Sequence, residues 1–98
     1  MSGAEEEAAE LMDKVEKLYS LMNRIRFYRD VMLDAEVEKL AEEAERLRQE
    51  INLTPEEVEK LADELDEYYI SGASPHGDTD PLTYWTFCVK ERLSKRRF

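Results

Sequence analysis

Cys88 and His76 are the one thiol and the one imidazole in this chain, and together they make its only nucleophile-and-base pair of the cysteine type. A cysteine attacks as its thiolate, so it needs a neighbouring base or a positive field. Spacing alone does not join these two. His76 falls in a Pro75-His76-Gly77 stretch, whereas Cys88 lies beside an apolar helical stripe, where a cysteine packs as a small hydrophobe. The expected arrangement is a packed cysteine and a solvated histidine. A Ser-His-Asp triad would need the same histidine, and a Cys/His zinc site would need more ligands than the chain holds. Adjacent carboxylates are frequent, as in Glu42 with Glu43, Glu56 with Glu57 and Asp63 with Glu64, but catalytic ones need apolar surroundings that raise one pKa. The Glu-x-x-His motifs of di-iron bundles are absent, and so are phosphate-cradling glycine loops. Asp78-Thr79-Asp80 lacks the EF-hand pattern, and Asp80 reads better as a helix cap. No catalytic residue, cofactor or metal is expected.

The elements that carry these residues are all helical. Leu11, Val15, Leu18, Met22, Ile25 and Met32 recur at steps of four and three, broken at Arg29, and predict a long first helix over about 5–33 whose first turns overhang. After Asp34, a cap candidate, Val37, Leu40, Ala44 and Leu47 predict a second helix over 35–50. Thr54, Pro55 and Glu57 then spell a capping box with proline at the first helical position, opening a third helix over 55–70 with Val58, Leu61, Leu65 and Tyr68 on one face. Residues 71–80 hold two glycines, a proline and no large apolar group, and read as a loop. Asp80-Pro81 repeats the cap-then-proline signal before a last helix over 81–97, with Leu82, Trp85, Val89 and Leu93 facing inward. The hexapeptide Glu-Val-Glu-Lys-Leu-Ala occurs at 36–41 and again at 57–62, three heptads apart, as two similar bundle helices would have it. The fold class is all-α: a four-helix bundle of up-down type, one domain over 1–98, with a long first helix and a ten-residue loop before the last.

Charge narrows the partners. The net formal charge is −10, with 42% hydrophobic residues, too many for a disordered acidic tail. Residues 1–70 contain 21 acids and 9 bases, whereas 82–98 contain 1 acid and 5 bases. An anionic body repels nucleic acid and anionic membrane, leaving only the short basic end for either. No apolar run reaches the roughly 20 residues that span a bilayer, and the acidic start is unlike a signal or transit peptide, so a cytoplasmic location is expected. Asn and Gln are scarce beside Glu, a composition shared by hyperthermophile and computationally designed proteins, and it predicts high thermal stability.

Several residues are left over once the core stripes are assigned. Arg29 falls at the centre of the first stripe; either the helix turns toward Leu21, Tyr28 and Met32 and Arg29 reaches solvent, or it pairs with a carboxylate of the second or third helix. Tyr84, Phe87 and Phe98 project away from Trp85 and Val89, flanked by Lys90 and Lys95; Phe27 and Val31 point away from the first seam near Arg24. Outward aromatic and arginine side chains have the composition of interface hot spots, so Arg24, Phe27, Val31, Tyr84, Phe87 and Phe98 are the candidate partner-binding residues. The span from Trp85 to Phe98 also has the basic, two-anchor character of a calmodulin target, a reading that would withdraw Trp85 from the core.

Leu53 to Tyr69 resembles the second helix of the small sporulation-regulatory aspartyl-phosphate phosphatases, with similarity reaching back to Val37. That resemblance implies a helical hairpin acting on a response regulator. The Ser-Gln-Glu-Leu-Asp signature of that family falls on Ala62, Asp63, Glu64, Leu65 and Asp66, so its serine and glutamine are missing and phosphatase activity is not carried over. The expected function is a non-enzymatic interaction module or scaffold, bound to another protein or to its own copy as a homodimer. The alternatives are a phosphatase-like regulator and an acidic mimic of nucleic acid that acts as an inhibitor.

Overall fold

The computed structural model describes residues 3–31 and 34–95, and these form four helices: α1 Gly3–Asp30, α2 Asp34–Ile51, α3 Pro55–Ser71 and α4 Pro81–Lys95. The expected ends of the first helix at 33 and of the last at 97 lie outside the described residues. An all-α bundle is what the helices build, and no strand occurs among the described residues.

Helix α1 is the hub, because α2, α3 and α4 each pack against it while α2 meets α3 and α4 only slightly. The repeated hexapeptide therefore does not produce a directly packed pair; its two copies flank α1. Lys14 pairs with Glu50 and Lys17 with Glu43 (3.6 Å), so α1 and α2 run antiparallel. Glu57 pairs with Arg92 and Glu64 with Trp85, which makes α3 and α4 antiparallel as well. At about 1.5 Å per residue, 28 residues make α1 roughly 42 Å long, close to the 45 Å longest dimension of the molecule. Its first turns do not overhang as expected: Glu6, Glu7, Ala9 and Glu10 are exposed, but Glu7, Glu10 and Leu11 line one cavity with Lys90, Leu93 and Ser94 of α4, and Leu11 packs against the core.

The core is one cluster in which Val15, Leu18, Ile51, Leu53, Leu61, Leu65 and Val89 are sealed from solvent and Trp85 is 5% exposed. Thr86 is the buried polar residue, and its hydroxyl is satisfied by donating to the Leu82 carbonyl one turn back at 2.7 Å. The α2–α3 turn is fixed at both ends. Asn52 adopts φ 61, a left-handed conformation that asparagine tolerates better than most residues, and the Leu53 amide closes back on the Arg48 carbonyl at 3.2 Å. Leu53 thereby enters the core from the turn. Thr54 then caps α3 with both bonds of the capping box in place: the Glu57 amide donates to Thr54 Oγ1 at 3.2 Å, and the Thr54 amide to Glu57 Oε1 at 2.9 Å. At the far end Gly72, φ 76, returns its amide to the Tyr68 carbonyl at 2.7 Å and stops α3.

Candidate functional site

His76 does not stand free in solvent, contrary to the expectation from its loop. Its side chain is mostly buried, with Nε2 2.6 Å from Oε1 of Glu64, and that same oxygen accepts from the Trp85 indole at 2.8 Å. The imidazole stacks flat on Tyr84, with ring centroids 3.6 Å apart and planes 6° apart, and stands edge-on to Trp85. The loop supports it from below: the Ser74 hydroxyl donates to the Thr79 carbonyl at 2.6 Å and accepts the His76 amide at 3.2 Å. Burial of one carboxylate beneath two N–H donors and two aromatic rings pins residues 72–80 to the α3–α4 seam. The partner of His76 is thus Glu64 and not Cys88.

Cys88 is half-buried and packs against the core, one turn from Tyr84 on α4. A hydrogen bond to Cys88 pushes the Tyr84 hydroxyl above its ordinary value. Tyr84 was expected on the outward, adhesive side of the last helix, but its ring is half-buried and occupied by the His76 stack and by an edge contact with Trp85. The expectation failed because residues 72–80 fold back over α4.

Arg29 resolves in favour of solvent: it is exposed, Leu21 two turns earlier is buried and Tyr28 partly so, and Arg29 has no ion-pair partner among the described residues, outside which Met32 lies. Arg26 takes the paired role instead. Its guanidinium donates to Asp66 Oδ2 at 3.0 Å and to Asp63 Oδ1 at 3.1 Å, with Glu59 at 3.6 Å, while the Tyr19 hydroxyl donates to Asp66 Oδ1 at 2.7 Å. Burial pushes the Tyr19 hydroxyl up, and the carboxylate of Asp66 adds to the shift. This network ties the middle of α1 to the acidic face of α3. Nothing in the one-dimensional stripe marks Arg26, because it sits at the edge of the apolar face and only α3 brings carboxylates to it.

Four positions of the candidate surface are exposed as expected: Phe27 at 61%, Val31 at 47%, Phe87 at 59%, and Arg24 on α1. Phe98 lies outside the described residues. Arg24, Phe27 and Val31 follow at steps of three and four and share one side of α1, turned away from its buried stripe. Phe87 stands on α4 with polar neighbours. Ile70, 83% exposed, and Tyr69, 56% exposed and in ring contact with Tyr19, add apolar surface at the end of α3 that the helical stripe did not predict.

No protein family, curated protein or solved structure matches this chain.

Because α2 and α3 flank α1 without closing on each other, an apolar groove of about 210 Å³ runs between them. Met22 and Ile25 of α1 form its floor, Ala41 and Ala44 one wall, and Pro55 and Val58 the other. Arg29, Glu45, Arg48 and Glu59 stand around its rim. Arg48 is neutralised by Glu45, donating from Nε at 3.0 Å, and it also donates to the Leu53 carbonyl at 2.7 Å. No set of three metal-ligating side chains converges among the described residues, and no helix among them is long and apolar enough to cross a membrane.

Proposed function

We propose that this chain is a non-enzymatic interaction module, a helical bundle whose task is to present a surface to another protein or to its own copy. The observation that carries the reading is the exposed stripe Arg24, Phe27 and Val31 on α1. The core beneath is already filled by buried residues, and although Phe27 meets Tyr28 edge-on, with ring centroids 5.4 Å apart, Phe27 and Val31 remain 61% and 47% exposed. Arginine beside an aromatic and an aliphatic group is the usual make-up of an interface centre.

Support over a phosphatase-like regulator comes from the carboxylates that such a reading would use. Asp63 and Asp66 are engaged by Arg26, and Glu64 by His76 and Trp85, so none is left to act on a phosphoryl group without first breaking a tertiary contact. The same engagement favours a binding role over an enzymatic one.

Phe27→Ser tests the proposal. Sedimentation of the wild-type chain at high concentration is expected to show self-association, or affinity capture a partner, that the variant loses, with folding stability within about 1 kcal/mol of wild type. A wild-type monomer with no Phe27-dependent partner would remove this surface from the account.

A further inference from the structure

The geometry points to a second copy of this chain as the occupant of the exposed side of α1, lying antiparallel across it about a two-fold axis. This inference rests on the reading of Arg24, Phe27 and Val31 as a binding surface, and it names what binds there. Glu6, Asp13, Ser20, Arg24, Phe27 and Val31 are all exposed and follow one another by three, four or seven residues, so they share one side of α1 over about 38 Å. α2 is tied to one edge of that side through Lys17 and α3 to the other through Arg26, and nothing among the described residues covers the strip between them.

Self-complementarity chooses the occupant. The strip is acidic at one end, with Glu6 and Asp13, and basic and apolar at the other, with Arg24, Phe27 and Val31. Asp13 and Arg24 have no ion-pair partner among the described residues. A copy turned end over end brings its Arg24 to this Asp13 and its Asp13 to this Arg24, so one two-fold operation makes both pairs. That axis passes between the levels of Leu18 and Tyr19, and it carries each Phe27 to within one residue of Ala9 of the other copy, whose small side chain leaves room for the ring. Tyr69, 56% exposed and 5.7 Å from the Tyr19 ring between centroids, adds apolar surface beside the axis. A parallel pair would instead set Asp13 on Asp13 and Arg24 on Arg24. Helices α2 and α3 offer no such match: with seven carboxylates against three bases, and seven against one, each repels its like.

Sedimentation equilibrium of the full chain at concentrations up to about 1 mM tests the pairing, and the wild type is expected to dimerise. Arg24→Asp and Asp13→Arg each set like charges against one another on both sides of the axis, and each is expected to weaken dimerisation by at least about tenfold. Mixed in equal amounts, the two variants are expected to recover it, because one then carries acids at both positions and the other bases at both. The double variant Asp13→Arg/Arg24→Asp is expected to dimerise by itself. Both positions are exposed, so far-ultraviolet circular dichroism of each variant is expected to match the wild type. Two weakened variants whose mixture stays monomeric would overturn the antiparallel pairing. A wild-type dimer indifferent to both reversals would have its interface elsewhere and would overturn it as well. A wild-type monomer would overturn the second copy as occupant; the interaction-module reading survives that result if Phe27→Ser abolishes capture of a different protein, and falls with it otherwise.

Discussion

The indole Nε1 of Trp85 donates to Glu64 Oε1 at 2.8 Å, so the largest side chain of α4 is held by the core on its rings and by α3 on its one polar atom. A buried indole N–H without a partner would cost about 1–3 kcal/mol, and Glu64 removes that cost while also holding His76.

Trp85→Ala is accordingly expected to lower stability by about 3–5 kcal/mol, the range of large-to-small core changes. Trp85→Phe keeps most of the buried volume and loses the N–H bond, with an expected loss nearer 1–2 kcal/mol. Urea unfolding followed by far-ultraviolet circular dichroism measures both, and an unchanged midpoint for Trp85→Ala would contradict a buried indole.

Acid should act through Glu57. Hydrogen bonds from the Arg92 guanidinium, helped by the Thr54 amide, hold its carboxyl at about 2 against an ordinary 4.5, while burial opposes the shift. A carboxyl whose folded value lies below its unfolded one binds protons more readily in the unfolded chain. Its contribution is therefore complete above about 4.5 and is lost as pH falls toward 2. Urea midpoints measured between these limits are expected to fall less steeply in Glu57→Gln than in wild type. Parallel curves would assign the acid sensitivity elsewhere.

Two arginines three residues apart on α1 should behave differently. Arg26→Ala leaves Asp63, Asp66 and Glu59 facing one another without their shared cation, and is expected to cost about 1–2 kcal/mol. Arg29→Ala removes an exposed side chain with no ion-pair partner among the described residues and should stay within about 0.5 kcal/mol. Thermal melts at low and high salt distinguish them, because only the Arg26 network weakens as ions screen it. Equal losses would refute the assignment of the ion pair to Arg26.

Local chemistry made the helices legible. Thr54, Pro55 and Glu57 announce the start of α3 through bonds that close within four residues, and the three-and-four spacing of Val15, Leu18, Met22 and Ile25 marks a buried face whatever lies against it. Trp85 was legible as core for the same reason. Tertiary structure alone decided that His76 meets Glu64, that Tyr84 is covered, that Arg26 rather than Arg29 pairs, and that α2 and α3 part to leave a groove. Each of these depends on which helices become neighbours and on the path of the loop between α3 and α4. Periodicity gives the direction in which a side chain leaves its own helix, and it carries no information about what another helix brings to meet it.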